Sequence, residues 1–138
     1  MAINGMSGGV MAKTKEFTIE VENRPGAVAE IAKTLGAAKV NILALLATAH
    51  GTTGTVQLVV ENAGHAKRAF DKANLKYREI PAEQHELENK PGALARYLEK
   101  LAAKDVNLDS ICCTAAKGGR KAVLVCTTAA SAEAKAVA

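Results

Sequence analysis

Two nearly identical hexapeptides contain the residues of this chain that are best suited to binding chemistry: ENRPGA at residues 22–27 and ENKPGA at residues 88–93. In each, an asparagine stands just before a Pro-Gly turn, and its side-chain amide both donates and accepts hydrogen bonds. A turn that leads into a helix presents free backbone amides and a partial positive charge, which suit a carboxylate. The hexapeptides therefore predict two sites for a small zwitterion such as a free amino acid.

A second asparagine follows each turn at a fixed distance, where a strand is predicted to begin. The turn glycines are expected to let a ligand approach the backbone closely. Purely structural roles stay open for the same residues, as helix caps, turn glycines or helix-exit residues in a left-handed conformation. The candidate ligand shell consists of Asn23, Pro25, Gly26 and Asn41, with Asn89, Pro91, Gly92 and Asn107 in the second copy.

The hexapeptides belong to a longer duplication, because the same offset of 66 residues relates positions far beyond them. This offset aligns the two halves without a gap. A repeat of this length is a small domain and not the unit of a solenoid. Matching pairs beyond the turns include Leu35 with Leu101, Val40 with Val106, Thr48 with Thr114, and Leu58 with Leu124.

Hydrophobic periodicity predicts the order strand, helix, strand, strand, helix, strand in each copy. The first copy has predicted strands at 16–22, 42–50, 55–61 and 76–80 and helices at 25–38 and 63–73. The second has predicted strands at 83–88, 108–116 and 121–128 and helices at 91–104 and from Ser131, and it lacks a last strand. The expected division is a flexible leader at 1–14, a first domain at 15–81 and a second domain at 82–138.

The missing last strand leaves the strand 83–88 without a neighbour, and proteins usually cover such an edge. We predict a hairpin in which the strands 76–80 and 83–88 pair across Pro81 and Ala82. The hairpin would fuse both copies into one antiparallel sheet with helices on one face, an α+β fold. The alternative is that the leader, or a strand of a second chain, covers the edge.

Composition argues against two classes of partner, nucleic acids and membranes, and indicates a compartment. The formal charge of +4 is scattered along the chain, and aromatic residues make up 3%, so we expect no nucleic-acid partner. No apolar stretch reaches the length of about 20 residues that spans a bilayer, so no membrane partner is expected. The three cysteines form no CxxC pair, which favours a reducing cytoplasm.

Neither a catalytic triad nor a cofactor fingerprint is evident, so we expect no enzyme, no cofactor and no metal centre. The three histidines, at positions 50, 65 and 85, lack metal-ligand spacing. Cys112 and Cys113 are expected to face opposite sides of a strand, with at least one of them packed in the core.

The stretches ENRPGAVAEIAKTLGAAKVNILAL and ENKPGALARYLEKLAAKDVNLDSI resemble the ACT domain family. The resemblance implies ferredoxin-like ligand-sensing modules that bind a small molecule where two copies meet. The turn is similar to that of the regulatory domain of phosphoglycerate dehydrogenases, in which two asparagines hold serine. Those asparagines correspond to residues 23 and 41 here, and to 89 and 107 in the second copy. A histidine of that family is replaced by Val21 and Leu87, so the resemblance implies an amino-acid site without specifying serine.

The resemblance implies a stand-alone regulatory protein that binds a small molecule, in the first place an amino acid, and signals by a change in packing. Its expected partners are further copies of itself, as a homodimer or higher oligomer, and a regulated enzyme or a transcription partner. The alternatives are a protein-interaction module whose ligand site has decayed, and a sensor of metal ions or oxyanions.

Overall fold

The structure of the protein, a computed structural model, describes residues 10–128. In chain order the elements are β1 (Val10–Glu22), α1 (Ala27–Ala37), β2 (Ile42–His50), β3 (Thr53–Val60), α2 (Ala63–Lys72), β4 (Arg78–Glu88), α3 (Ala93–Ala103), β5 (Leu108–Ala115) and β6 (Lys121–Thr128). They form two compact units: residues 14–79, and residues 80–128 together with residues 10–13.

In the first unit, residues 14–79, β3 lies between β2 and β1 and is antiparallel to both. The alternating apolar residues of β1 and β3 face α1 and α2, because side chains two apart on a strand share one face. The core that results contains Phe17, Ile19, Ile31, Leu35, Val40, Val56, Leu58, Val60, Ala66 and Phe70.

In the second unit, β6 lies between β4 and β5 and is antiparallel to both. Residues 10–13 of β1 group with this unit, in which β1 is the other neighbour of β4. The edge of β4 is therefore covered by the segment predicted to be a leader, which was the alternative to the hairpin. The core of this unit contains Leu87, Tyr97, Leu101, Ala122, Leu124 and Cys126.

The predicted hairpin between residues 76–80 and 83–88 is wrong, because both segments belong to the single strand β4. A two-residue hairpin turn needs residues that adopt positive φ, usually Gly or Asn, and Pro81-Ala82 supplies neither. Proline is instead tolerated in extended backbone where its missing amide is not required. One strand thus serves as the end of the first copy and the beginning of the second.

The two copies do not align without a gap. Phe17 lies opposite Leu58 in the first unit, and its counterpart Glu83 lies opposite Cys126 in the second. The predicted pair of Leu58 with Leu124 is therefore wrong, and Leu58 corresponds to Cys126. The shift arises in the second hairpin, where Ala115 and Ala122 are the last residues paired across a longer turn.

The α+β class and the tandem ferredoxin-like units are confirmed, and most predicted bounds lie within two residues of the observed ones. Both helices after a Pro-Gly turn begin two residues later than predicted, at Ala27 and Ala93. β1 begins at Val10, inside the predicted leader. The helix predicted from Ser131 and the absence of a last strand lie outside the described residues. No helix of the described part is long and apolar enough to cross a membrane.

Replacing Gly26 with alanine is expected to lower the free energy of unfolding by about 1–2 kcal/mol, because an L-residue is strained in the left-handed conformation. The φ angle of Gly26 is 88°, and an added Cβ would come no nearer to its closest neighbour than 3.9 Å. The cost therefore comes from the backbone alone. Urea denaturation of the variant measures it.

The matched control is Gly36→Ala, which makes the same change inside α1 with no heavy atom within 4 Å of the new Cβ. It is expected to stabilise the protein by about 0.5–1 kcal/mol, because alanine loses less conformational freedom than glycine in a helix. Equal effects of the two substitutions would contradict the assigned turn conformation.

Candidate functional site

Both Pro-Gly turns have the same backbone geometry. The amide of Ala27 donates to the carbonyl of Arg24 at 3.3 Å, and the amide of Ala93 donates to that of Lys90 at 3.2 Å. With proline second and a left-handed glycine third, these are type II turns. The glycine is also the residue that precedes each helix, and no side chain caps either helix. The first-turn amides of α1 and α3 are therefore without a capping side chain.

The turn asparagines fasten the neighbouring hairpin to the turn. The side-chain amide of Asn23 donates to the carbonyl of Gly51 at 2.8 Å, and that of Asn89 donates to the carbonyl of Gly119 at 2.8 Å. Their backbone amides bond to the next carbonyls of the same hairpins, at 3.0 and 2.8 Å. The helix-cap interpretation is therefore wrong. Within the described chain no donor reaches either side-chain oxygen, so each oxygen is available to a ligand.

Asn41 and Asn107 lie just before β2 and β5 and are exposed. The interpretation as left-handed helix-exit residues is wrong for both, because Lys39 and Asp105 have positive φ there. In the first unit the backbone carbonyl of Asn41 accepts from Glu61 at 2.9 Å. No hydrogen bond of either asparagine side chain is observed in the described part.

The structure does not bring Asn23 and Asn41 of one copy together. The turn adjoins the end of β3 at Thr53, whereas Asn41 adjoins the other end at Glu61. Eight residue steps of a strand separate these positions by about 26 Å, at about 3.3 Å per residue. A free amino acid is too short to contact both side chains of one copy.

A small cavity of about 120 Å³ lies beside the turn of the first unit. The hairpin β2–β3 forms one wall and the start of α1 forms another. Thr48 lines the cavity, and its hydroxyl lies 3.3 Å from Nε2 of His50. Sequence spacing gave no signal for these two residues, because only the hairpin brings them to the turn. The lining comprises residues 21–24, 27–28, 47–49 and 54–56.

The two turns differ in charge. Arg24 lies between two carboxylates, with Nη2 2.9 Å from Glu30 and Nε 3.3 Å from Glu22. Glu30 above all raises the pKa of Arg24, through a hydrogen bond and its charge. In the second unit Lys90 binds Glu88 at 2.7 Å, and Arg96 occupies the position of Glu30. All of these side chains are exposed, so their ion pairs contribute little stability.

The second unit contains a buried polar cluster that sequence analysis missed. Nε2 of His85 lies 3.2 Å from Glu83, and its ring lies 5.3 Å from that of Tyr97. Cys126 faces Glu83 across β4 and β6. All four residues are less than 9% exposed, and the Tyr97 hydroxyl has no hydrogen-bond partner in the part of the chain that is described. The corresponding residues of the first unit are all apolar: Phe17, Ile19, Ile31 and Leu58.

The thiol of Cys126 is expected to make stability fall at alkaline pH. Burial, and then the negative charge of Glu83, raise its pKa from 9.0 to about 11. Because the fold favours the neutral thiol, its contribution is fully present below pH 9 and is lost as the pH rises through 11. Two pKa units correspond to about 3 kcal/mol.

Urea denaturation at pH 8 and at pH 10.5, on the protein and on Cys126→Leu, measures this loss. The variant carries the residue found at position 58, and it is expected to lose less stability than the parent between the two pH values. Tyr97 is present in both proteins. Its pKa is raised first by burial, a contribution that cancels, and then by the charge of Cys126, a contribution that the substitution removes together with the thiol. An identical decrease in both would contradict the assignment to Cys126.

The fold and the duplicated turn place the chain among proteins built from tandem ferredoxin-like units. The ACT domain model matches residues 16–70 of the chain. ACT domains are regulatory domains that bind small molecules. No curated protein matches the sequence.

Two solved structures share the fold over most of the chain. Protein BT0572 from Bacteroides thetaiotaomicron has a TM-score of 0.77 and 23% identity, over 85% of this chain and 80% of that one. The regulatory subunit of aspartate kinase from Thermus thermophilus has a TM-score of 0.64 and 16% identity, over 89% and 87%. At these identities the likeness concerns the fold alone.

Proposed function

We propose that the protein is a regulatory protein, not an enzyme, that binds a free amino acid at its Pro-Gly turns. The observation that carries the proposal is the geometry of Asn23 and Asn89. Each donates its amide to a hairpin carbonyl, leaves its side-chain oxygen without a donor in the described chain, and stands four residues before a helix whose first-turn amides no side chain caps. An ammonium group can donate to the oxygen, and a carboxylate can accept from the amides.

The candidate shell also contains the asparagines that precede β2 and β5. A ligand that contacts a turn asparagine and one of these must be bound by two copies. Asn41 lies about 26 Å from the turn of its own copy, at about 3.3 Å per strand residue. An Asn41 side chain that completes the shell at Asn23 therefore belongs to a second chain. Such a ligand favours one association of the chains over others, and a regulated enzyme or transcription partner responds to that association.

A thermal-shift screen against the twenty amino acids tests the proposal. A ligand that binds only the folded state raises its stability, by about 2.7 kcal/mol at 100 times its Kd. We expect at least one amino acid to raise the Tm. We expect Asn41→Ala/Asn107→Ala to abolish that rise without lowering the Tm of the free protein, because both side chains are exposed and make no hydrogen bond in the described part of the chain.

Asn23→Ala needs a matched control, because it also removes the bond to Gly51 at 2.8 Å. Asn62 provides one: its side chain accepts from the amide of His65 at 3.0 Å and caps α2, away from the turn. Both variants are expected to cost about 1 kcal/mol. Only Asn23→Ala should reduce the ligand response, and adding Asn89→Ala should abolish it. If no amino acid raises the Tm, the proposal is refuted. If the chains still associate with one another, the result favours the protein-interaction module.

A further inference from the structure

The second unit has a cavity of its own, of about 170 Å³, between the end of β4 and the flank of α3. At about 30 Å³ for each water molecule, it has the volume of about six waters, enough for a small organic anion. None of the four candidate asparagines lines it, but it adjoins the proposed amino-acid site of the second unit at Ala93, the first residue of α3. Its lining residues are Leu87, Glu88, Lys90, Ala93, Arg96 and Lys100.

The charge of this cavity is unbalanced. Its single carboxylate, Glu88, is already bound by Lys90 at 2.7 Å. Glu88 also lies opposite Lys121 on the neighbouring strand. The ion pairs formed among the described residues include neither Arg96 nor Lys100. Neither cation therefore forms a close ion pair in the described part of the chain. Glu88, whose pKa is lowered mainly by Lys90, feels the charge of Arg96 only as a smaller contribution.

Arg96 is folded back over the Pro-Gly turn. Its Nη1 lies 3.0 Å from the position that a Cβ on Gly92 would take. The residue type at position 92 is therefore what allows the guanidinium to lie there. The guanidinium lies at the first turn of α3, where the helix dipole disfavours a cation, so this placement does not stabilise the helix.

The first unit provides an internal comparison, because the same positions there are neutralised. Glu30 and Thr34 occupy the positions of Arg96 and Lys100. Arg24, at the position of Lys90, is bound by both Glu22 and Glu30. Two carboxylates and one cation in the first unit correspond to one carboxylate and three cations in the second. The second turn therefore has an excess of positive charge where the first has an excess of negative charge, although the backbone geometry of the two turns is the same.

We propose that this cavity of the second unit binds a small oxyanion with two negative charges, held between Arg96 and Lys100. A planar guanidinium binds two oxygens of one phosphoryl or carboxylate group, and a lysine adds a mobile point charge. Either a phosphoryl group or a dicarboxylate has this chemistry. The protein is then a sensor with two kinds of site, one for a zwitterion and one for a dianion.

Titration calorimetry of the full chain at constant ionic strength, with inorganic phosphate and separately with succinate, tests the proposal. Saturable binding of one molecule per chain is expected for at least one of the two anions. Binding of phosphate alone assigns a phosphoryl ligand, and binding of succinate alone assigns a dicarboxylate; both results support the site. No saturable binding of either anion overturns it.

Paired variants separate the cavity from general charge effects. Arg96→Gln/Lys100→Gln is expected to weaken binding at least tenfold. Lys104→Gln/Lys117→Gln removes the same charge from exposed positions outside the cavity and is expected to leave the affinity unchanged within twofold. Equal losses in the two variants would overturn the proposal, because the anion would then respond only to net charge.

A gain of function in the first unit completes the test. Glu30→Arg/Thr34→Lys gives that unit the residue types of the second and is expected to raise the stoichiometry from one anion to two. The stoichiometry staying at one would contradict the assignment to these positions. The amino-acid response of the first turn does not depend on Arg96 or Lys100, which belong to the second unit, so failure of either proposal is recognised separately.

Discussion

Replacing Phe17 with alanine is expected to lower the free energy of unfolding by about 3–5 kcal/mol, the cost of truncating a buried phenylalanine. Phe17 is fully buried, and its ring meets those of Phe70 and Tyr77 edge-on at centroid distances of 5.4 and 5.5 Å. The substitution removes both the buried area and these aromatic contacts, which contribute beyond area alone. Urea denaturation measures the loss.

Glu20→Ala on the same strand is the control for this substitution. Glu20 is exposed, and in the described part of the chain its carboxylate accepts a bond from the half-buried Thr55 alone. Its removal is therefore expected to change stability by no more than about 0.5 kcal/mol. A loss of less than about 1.5 kcal/mol for Phe17→Ala would contradict a close-packed core around this ring, because truncation there leaves a cavity.

Replacing His85 with alanine is expected to cost about 3–5 kcal/mol, because it leaves the buried carboxyl group of Glu83 without its partner. The two groups lie 3.2 Å apart, and the His85 side chain is fully buried. The substitution also opens a cavity against the ring of Tyr97, which lies 5.3 Å from the imidazole. Chemical denaturation at pH 7 measures the change.

The double variant Glu83→Phe/His85→Ile shows whether the cost of His85→Ala comes from the unpaired polar group or from lost packing. It gives the second unit the residues of positions 17 and 19. Replacing a buried polar pair by apolar residues is often neutral or stabilising by about 1–4 kcal/mol. We therefore expect the double variant to be at least as stable as the parent. A double variant as unstable as His85→Ala would show that packing, and not the unpaired carboxyl group, determines the cost.

Local patterns were enough to predict most of the fold. The alternation in β1 and the helical spacing in α1 each follow from one buried face, so both appear in the sequence. β2 occupies Ile42–His50, as predicted. The bounds of β4 depended instead on the tertiary neighbours of an extended Pro81, which no local pattern indicates. The two-residue shift between the copies is likewise set by a turn length that the gapless alignment concealed.

The candidate site was predictable only in part. The Pro-Gly turn is local, so its glycine conformation followed from the sequence. The bond from Asn23 to Gly51 joins residues 28 apart, and only the folded hairpin creates it. The distance between Asn23 and Asn41 likewise depends on sheet register. The one sequence signal for the buried polar cluster of the second unit was that Glu83 and His85 replace the apolar Phe17 and Ile19 of the first copy.

Chemical-shift perturbation in ¹⁵N-labelled protein, titrated with an equimolar mixture of the twenty amino acids, tests the central claim most directly. Amino-acid binding at the turns predicts saturable shifts of the side-chain amides of Asn23 and Asn89 and of the backbone amides at the starts of α1 and α3. In the same titration the side-chain amide of Gln57, which lies in the middle of β3 and donates to Glu16 at 3.3 Å, should stay unchanged. Saturable shifts confined to residues away from both turns, or none at all, would contradict the claim.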